Sequence, residues 1–248
     1  MRLICCSASY YCFLFMSCLV IFDLDGVLVD TEKLYMDMNL AWFKSLGFEM
    51  PQTIYLQFIG ASGRLFWQYI VDVYKLSLPV EQYILAEKAL KFKTLQKANL
   101  TPTPHLLPFL QFLKTNRVPC AIASSGLRQN IDLILQKTKL RPYFTTIISG
   151  EQVARGKPHP DIFELAAHEA GHLPKECIVI EDSFNGVTAA KAANMFCVGF
   201  YNPNSGNQNL SAANMIINSF AIKKLELAQY LCPHKRILCN KDLVIFFD

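Results

Sequence analysis

Short, continuously apolar runs recur along the chain, and most of them end abruptly in polar residues. Runs that are apolar at consecutive positions, rather than alternating, are typical of strands buried on both faces of a parallel sheet. Val, Ile and Cys are frequent in them, and each run predicts one strand. These runs are 18–22, 118–123, 145–149, 177–180 and 196–199.

Stretches with helical periodicity separate the last four of these strands. They cover residues 127–140, 159–171 and 185–195, and Gly171 is the predicted cap at the end of the second. Regular alternation of strand and helix produces parallel sheets with right-handed crossovers. The sequence therefore predicts an α/β fold, a Rossmann-like doubly wound parallel sheet.

The alternation stops between the first two strands. Residues 31–100 contain no run typical of a strand, but they contain helical stretches at 31–47, 63–76 and 79–97. Thr31 is the predicted N-cap of the first of these helices. An insertion of this length directly after the first strand predicts an α-helical cap domain over the carboxyl end of the sheet, with the proline-containing segment 100–105 as its return hinge.

These patterns divide the chain into four parts. The predicted core domain consists of residues 16–30 and 101–220, and the predicted cap domain of residues 31–100. Residues 1–15 are expected to be an extension outside the fold, with Met16 as an alternative start. Residues 221–248 are expected to form a C-terminal helix and a tail to which the sequence assigns no role.

The first twenty residues allow a second interpretation. Arg2 followed by an apolar run resembles a secretory signal or a membrane anchor. However, the apolar run continues without a break into the first predicted strand, and serines and tyrosines interrupt it. A membrane association is therefore the less favoured of the two interpretations.

Composition narrows the choice of partners and compartment. Hydrophobic residues make up 52% of the 248 residues, which is enough for a large core. The net charge is only +4, without a block of Lys and Arg, so we expect no nucleic-acid partner. None of the nine cysteines has the spacing of a zinc or redox motif, and Cys120, Cys177 and Cys197 lie in apolar runs. We therefore expect a cytoplasmic protein. We also expect it to be a monomer.

Polar side chains follow the predicted strands where each strand ends. Asp23 and Asp25 follow the first strand, and Ser124 and Ser125 the second. Glu181 and Asp182 follow the fourth, and the loop after the third contains Lys157. Ligands of open α/β sheets bind beyond the carboxyl ends of the strands. Clustered carboxylates repel one another unless a cation lies among them, and Mg²⁺ prefers oxygen ligands of this kind. The sequence therefore predicts a site for Mg²⁺ and a phosphate.

Four motifs at these strand ends resemble those of a known family. "DLDGVLVD", "ASSG", "GKPHPDIF" and "IEDSFNG" are similar, in order and spacing, to the four motifs of the haloacid dehalogenase-like hydrolase superfamily. Within it, the chain resembles the branch of β-phosphoglucomutase and of the sugar-phosphate and phosphoglycolate phosphatases. The resemblance covers roughly residues 17 to 220.

This resemblance implies a role for each residue of the motifs. Asp23 would be the nucleophile that forms an aspartyl phosphate, and Asp25 would be the general acid and base. Magnesium would be bound by Asp23, Asp25 through its backbone carbonyl, Asp182 and Glu181. The phosphate of a small phosphorylated metabolite would be bound by Ser124, Ser125 and Lys157.

Departures from the mutase pattern favour a phosphatase of small phosphomonoesters. Tyr35 and Ile59 occupy the positions that match a histidine and a lysine of the mutase cap. Two alternatives stay open: a phosphosugar mutase, and a catalytically silent partner-binding protein on the same scaffold. The candidates for substrate specificity are Glu32, Arg64 and Arg128.

Overall fold

The structure is a computed structural model that describes residues 18–59, 62–221, 236–240 and 243–247. The predicted extension 1–15, the alternative start at Met16 and the helix predicted after residue 221 lie outside these ranges. None of the helices within them has the length and apolar character needed to cross a membrane.

The core of the molecule is a six-stranded parallel sheet with the strand order β3-β2-β1-β4-β5-β6. This order places β1 and β4 side by side at the centre, and the predicted Rossmann-like fold is confirmed. Every strand from β1 to β5 is buried almost throughout, which explains the continuous apolar runs. The strands are Leu19–Phe22 (β1), Cys120–Ser124 (β2), Thr146–Ser149 (β3), Cys177–Glu181 (β4), Phe196–Phe200 (β5) and Met215–Ile217 (β6).

Helices cover both faces of this sheet. Successive side chains of a strand point to opposite faces. Val20 and Phe22 pack among residues of the helices Leu106–Thr115 (α5) and Arg128–Thr138 (α6). Leu19 and Ile21 pack against the helices Asp161–Glu169 (α7) and Phe184–Ala192 (α8).

The insertion between β1 and β2 is helical, as predicted, and has a hydrophobic cluster of its own. It contains Glu32–Ser45 (α1), Gln52–Tyr55 (α2), Gly63–Tyr74 (α3) and Val80–Lys97 (α4). Trp67 is fully buried in this cluster, with its ring stacked on that of Tyr83. The insertion therefore packs around a centre separate from the two clusters on the sheet.

The two linkers that join the insertion to the core run side by side. Val29 and Pro102 form an isolated antiparallel bridge. Thr103 adds two hydrogen bonds to the outgoing linker, from its amide to the Leu28 carbonyl at 2.9 Å and from its hydroxyl to the Val27 carbonyl at 2.7 Å. The insertion thus begins and ends at one edge of the sheet, next to the carboxyl end of β1.

Several elements were not predicted from the sequence. Helix α2 and strand β6 are four and three residues long, too short for a periodic pattern to be recognised. Helix α5 contains Pro108 in its first turn, where a missing N–H costs nothing. In the tail, the backbone of Arg236–Asn240 (β7) pairs antiparallel with Leu243–Phe247 (β8).

The central strand β1 contributes a large buried aromatic side chain to the core. Phe22 is fully buried and makes edge contacts with the rings of Phe109 and Phe144. We expect Phe22→Ala to lower the free energy of unfolding by about 3–5 kcal/mol, since it leaves a cavity. Phe184→Ala, at a side chain 49% exposed, is the control and should change it by less than about 1 kcal/mol. Urea denaturation measures both, and equal losses would contradict this assignment of the core.

Candidate active site

Two adjacent strands bring the candidate acids together. Asp23 follows β1, and its amide donates to the carbonyl of Ile180 in β4 at 2.9 Å. Glu181 is the last residue of β4, and Asp182 follows it. Because β1 and β4 are neighbours at the point where the strand order reverses, their carboxyl ends open into the crevice where ligands of such sheets bind.

Three carboxylates form a buried cluster at this point. One ligand atom each from Asp23, Glu181 and Asp182 lies within 4.8 Å of the others. The three residues are only 6%, 1% and 5% exposed, respectively. Anionic groups at such short distances and away from water repel one another strongly unless cations compensate them.

Lys157 is the cation that the protein itself supplies. Its Nζ lies 2.5 Å from Asp23 Oδ1 and 2.7 Å from Glu181 Oε1, and it donates to the Ala123 carbonyl at 3.2 Å. The ammonium also lies 4.9 Å from the centre of the Phe163 ring. The loop after β3 thus carries its lysine under the ends of β1, β2 and β4.

Short loops fix the other two acids in place. Glu181 accepts hydrogen bonds from the amide and the hydroxyl of Ser183, at 2.7 and 3.0 Å. Ser205, in the loop after β5, donates its hydroxyl to Asp182 Oδ2. Two glycines leave room for the carboxylates: a Cβ at Gly186 would lie 1.9 Å from Glu181, and one at Gly26 would lie 1.9 Å from Asp182.

Asp25 is held apart from this cluster by residues at the start of the insertion. Thr31 donates its hydroxyl to Asp25 Oδ1 at 2.5 Å. Thr31 occupies the N-cap position of α1, as predicted, but its side chain does not cap the helix. Tyr35 also lies close to Asp25 and lowers the pKa of its carboxyl group. The first turn of the insertion therefore orients the second acid of the first motif.

Burial and mutual repulsion shift the acidity of these groups. Burial, opposed by Lys157 and reinforced by Glu181, raises the pKa of Asp23 to about 8. Burial together with Glu181 and Asp23 holds the pKa of Asp182 well above its usual value. For Lys157, burial disfavours the charge, but the two carboxylates beside it outweigh burial and raise its pKa. Lys157 therefore stays protonated at neutral pH.

The charges of the cluster suit a divalent cation. Three carboxylates face one ammonium group, so full ionisation leaves two negative charges without a counter-charge among the described residues at this point. Oxygen donors in a buried cluster of this kind are the ligand type that hard divalent cations bind. The donor set and the excess charge thus fit a metal of this class.

Residues at the end of β2 complete the floor of the site. Ser124 is buried, and its hydroxyl accepts the amide of Gly126 at 3.0 Å, while Ser125 is exposed. Both serines and Gly126 line the same cavity as Asp23 and Lys157. A hydroxyl group and consecutive backbone amides at the end of a strand are suited to binding phosphate oxygens.

One cavity of about 590 Å³ contains most of the predicted site. The insertion forms part of its wall, including the positions of Tyr35 and Ile59. Arg64 and Arg128 are not among the described residues that line it: Arg64 pairs with Glu81, and Arg128 with Asp132. The predicted residues that do line it are Asp23, Asp25, Glu32, Ser124, Ser125, Lys157, Glu181 and Asp182.

Glu32 lines this cavity near several other ionisable groups. Burial, with a smaller contribution from the carboxylates of Asp25 and Asp30, raises its pKa to about 7, and Lys91 opposes the shift. A carboxyl group that titrates near neutrality can either donate or accept a hydrogen bond. Glu32 is the one specificity candidate of the three that the structure places in the cavity.

Some residues of the cavity were not recognised in the sequence. Ile84, Glu87, Lys88 and Lys91 lie on one face of α4, and all four line the cavity. Their helical spacing is a sequence signal that could have grouped them on one face. Asn130, in α6, lines it as well. No local pattern could have connected Ser205 with Asp182, because the loop that carries it is defined only by the folded chain.

Comparison with known proteins identifies the family. Residues 20–200 match the family model of the haloacid dehalogenase-like hydrolases. The match covers more than half of the chain, so this protein belongs to that family. The resemblance inferred from the four motifs is confirmed, and so is the prediction of a hydrolase.

Two relatives and one solved structure show how far the similarity extends. A Drosophila melanogaster protein named probable pseudouridine-5'-phosphatase is 34% identical over 83% of this chain and 91% of its own. The phosphorylated carbohydrates phosphatase of Thermotoga maritima is 32% identical over 70% of this chain and 80% of its own. A hydrolase of this family from Deinococcus radiodurans, solved with phosphate and sodium, superposes with a TM-score of 0.66 at 28% identity, over 88% and 96% of the two chains.

The raised pKa values predict an inverse dependence of stability on pH when metal is removed. Asp23 and Glu32 have pKa values of about 8 and about 7 in the folded protein, above the ordinary carboxyl values of 3.8 and 4.5. The folded state therefore binds more protons than the unfolded state between these limits. With a chelator present, we expect the free energy of unfolding to fall from pH 5 to pH 8, by about 1.4 kcal/mol per pH unit for each proton involved.

Urea denaturation at a series of pH values measures this slope. Asp182→Asn should make the slope shallower, because it removes one of the charges that repel Asp23. An unfolding free energy that rises over the same interval would show that the cluster is already compensated without metal.

Proposed function

We propose that this protein is a Mg²⁺-dependent phosphatase that hydrolyses small phosphomonoesters through an aspartyl phosphate on Asp23. The observation that supports it most is the buried cluster of Asp23, Glu181 and Asp182 beside Lys157, in a cavity that Asp25 also lines. A nucleophile, a general acid and a site for positive charge are the groups that phosphoryl transfer needs.

Asp23, Asp182 and the backbone carbonyl of Asp25 would bind the Mg²⁺ directly. Glu181 belongs to the same cluster, but both of its oxygens accept hydrogen bonds, from Lys157 and from Ser183. We therefore propose that Glu181 contributes its charge and the orientation of Lys157 more than a ligand atom. A bound Mg²⁺ would neutralise the carboxylates and polarise the phosphoryl oxygens.

In the first step, one carboxylate oxygen of Asp23 attacks phosphorus in line with the leaving group. The bond between Asp23 and phosphorus forms while the ester bond between phosphorus and the leaving oxygen breaks. Asp25 donates its proton to that oxygen, so that an alcohol leaves instead of an alkoxide. Burial raises the pKa of Asp25, although the hydrogen bond from Thr31 opposes this shift. The raised pKa favours a protonated acid before the step.

In the second step, Asp25 is a carboxylate and accepts a proton from water. That water attacks phosphorus, the bond to Asp23 breaks, and inorganic phosphate leaves the restored enzyme. Lys157 compensates the charge of Asp23 at 2.5 Å, and Ser124 and Ser125 would hold the phosphoryl oxygens at the end of β2.

The residues of the insertion favour a phosphatase over a mutase. Tyr35 lies where the mutase has a histidine, and burial holds its pKa well above the usual value. A phenol in this state stays protonated and does not exchange protons with a sugar hydroxyl near neutral pH. A catalytically silent protein is disfavoured because the acids and Lys157 are all present in one cavity.

The substrate is proposed to be a small phosphorylated metabolite in the size range of a sugar phosphate. A cavity of about 590 Å³, enclosed in part by the insertion, has room for a leaving group of this size. The activities for which the two relatives are named, on pseudouridine 5'-phosphate and on phosphorylated carbohydrates, agree with this range. Glu32 is proposed to contact the leaving group. The absence of a nucleic-acid partner, a monomeric state and a cytoplasmic location stay predictions.

The proposal predicts that Asp23→Asn abolishes phosphate release. The amide is nearly isosteric but cannot attack phosphorus, so we expect a loss of at least about 10³-fold in kcat. Release of inorganic phosphate from a panel of sugar phosphates, phosphoglycolate and nucleotides, with Mg²⁺ or with a chelator, measures it. Activity that persists in the Asp23→Asn variant would overturn the assignment of Asp23 as the nucleophile. Activity that persists in the presence of the chelator would overturn the assignment of the metal.

The role of Asp25 predicts a different pattern. Asp25→Asn should lower kcat about 10²–10⁴-fold, because the leaving oxygen loses its proton donor. The loss should be smaller for p-nitrophenyl phosphate, whose leaving group needs little protonation. Thr31→Val removes one hydrogen bond to Asp25. It should also lower kcat less for p-nitrophenyl phosphate than for substrates with poor leaving groups, but both losses should be smaller than in Asp25→Asn. Equal losses for good and poor leaving groups would exclude Asp25 as the general acid.

A further inference from the structure

The cavity wall contains polar groups to which the proposed mechanism gives no role. Lys91, on α4 of the insertion, and Asn130, on α6 of the core, both line the cavity. Helices α4 and α6 pack against each other, and both contribute residues to the wall of this cavity.

Lys91 is held in position over the cavity. Its Nζ lies 3.1 Å from Glu87 Oε1, one helical turn earlier, and 5.0 Å from the centre of the Tyr35 ring. Its charge acts on the carboxyl groups of both Asp25 and Glu32. The lysine therefore lies close to groups of the reaction centre, and its side chain is 31% exposed.

Glu87 is the group that fixes this lysine. Its carboxylate is 6% exposed and accepts hydrogen bonds from Asn39 Nδ2 at 3.0 Å and Trp67 Nε1 at 2.8 Å, besides the contact with Lys91. A buried carboxylate with three donors is a costly arrangement for packing alone. Here it sets the position of one cation at the wall of the cavity.

Within the described part of the chain, the side-chain amide oxygen of Asn130 is an unsatisfied hydrogen-bond acceptor. The residue is 7% exposed, and its Oδ1 is buried without a partner among the described residues. An unsatisfied buried amide oxygen destabilises the folded protein, and native proteins rarely keep one. Rotation of the carboxamide exchanges its oxygen and nitrogen, so a bound molecule can meet either an acceptor or a donor.

The charges of this wall argue against a second anionic group on the substrate. The carboxylate and ammonium side chains of the insertion that line the cavity are Glu32, Glu87, Lys88 and Lys91, two of each sign. Lys91 is already paired with Glu87, and Lys88 is exposed to solvent, which screens its charge. A second phosphate would bring negative charge close to Glu32 without a buried cation to compensate it.

We propose that Lys91 and Asn130 bind the leaving group, and that this group is neutral and carries several hydroxyls, as a sugar does. Lys91 donates to a hydroxyl oxygen, the Asn130 amide hydrogen-bonds a neighbouring hydroxyl, and Glu87 is a positioning residue that acts through Lys91. This inference rests on the proposed phosphatase function, and it adds the class of leaving group and the residues that select it.

The test compares kcat/KM for three kinds of substrate in the full-length protein. Ribose 5-phosphate and glucose 6-phosphate have hydroxylated leaving groups, p-nitrophenyl phosphate has none, and glucose 1,6-bisphosphate adds a second phosphate. The wild-type protein should prefer the better sugar monophosphate over the bisphosphate. Lys91→Met should lower the ratio of kcat/KM for that sugar phosphate to kcat/KM for p-nitrophenyl phosphate by about ten-fold or more, and Asn130→Leu by about three- to ten-fold.

Controls separate this role from a general effect on the fold. Lys93→Met changes an exposed lysine of the same helix that does not line the cavity, and should leave the ratio unchanged. Lys91→Arg, which keeps the charge, should retain part of the selectivity. Glu87→Gln should act mainly by raising KM for the sugar phosphate, because it loosens Lys91 without touching the reacting atoms.

Thermal unfolding of Asn130→Leu supplies an independent readout. Since the amide oxygen has no partner, we expect this variant to unfold about 2–4 °C higher than the wild type although it selects less well. A purely structural asparagine would give a lower unfolding temperature and an unchanged ratio.

The possible failures are distinct. Absence of hydrolysis with every substrate would overturn the proposed function itself. Hydrolysis with unchanged ratios in both the Lys91 and the Asn130 variants, or a preference for the bisphosphate, would overturn this inference and leave the phosphatase intact.

Discussion

The structure depends on one electrostatic constraint: three carboxylates buried within 4.8 Å of one another at the end of two central strands, with a single lysine among them. Such a cluster costs free energy when the protein folds, because each charge loses water and meets like charges. Glycines at 26 and 186 leave the space for it, and Ser183 and Ser205 hold two of its members. An arrangement this expensive indicates that positive charge from outside the chain completes it.

The fold provides this constraint through topology. Strand β1 lies between β2 and β4, so Asp23, Ser124 and Glu181 come from distant parts of the chain and meet at one edge. The insertion leaves the core directly after β1 and returns beside it through the bridge between Val29 and Pro102. The first turn of the insertion can therefore orient Asp25, through Thr31, while α4 contributes part of the cavity wall. The groups proposed to react follow strands of the sheet, and most of the groups proposed to select the substrate belong to the insertion.

Much of this arrangement could be predicted from the sequence, because burial on both faces leaves a recognisable run of apolar residues and each run ends at a polar motif. Asp23, Ser124, Lys157 and Asp182 were all placed at one edge of the sheet by that reasoning. Arg64 and Arg128 are candidates for substrate specificity only because they lie near the motifs in the sequence. The direction of a long exposed side chain cannot be predicted from such a position. Both make ion pairs on the surface.

Other features have no local signal at all. The hydroxyl of Thr31 is used for Asp25 instead of the helix terminus, and this depends on where the chain turns after β1. The hydrogen bonds to Glu87 join three helices of the insertion, so they exist only once those helices have packed. The sequence thus determines which residues carry the chemistry more directly than which residues position them.

Titration calorimetry of the metal-free protein with Mg²⁺ at pH 7, in two buffers of different ionisation enthalpy, tests the central claim most directly. The raised pKa values of Asp23 and Asp182 predict that Mg²⁺ binds with release of protons, and that Asp182→Asn abolishes most of the binding. Binding without proton release, or equal binding to the variant, would contradict the claim that a divalent cation compensates this cluster.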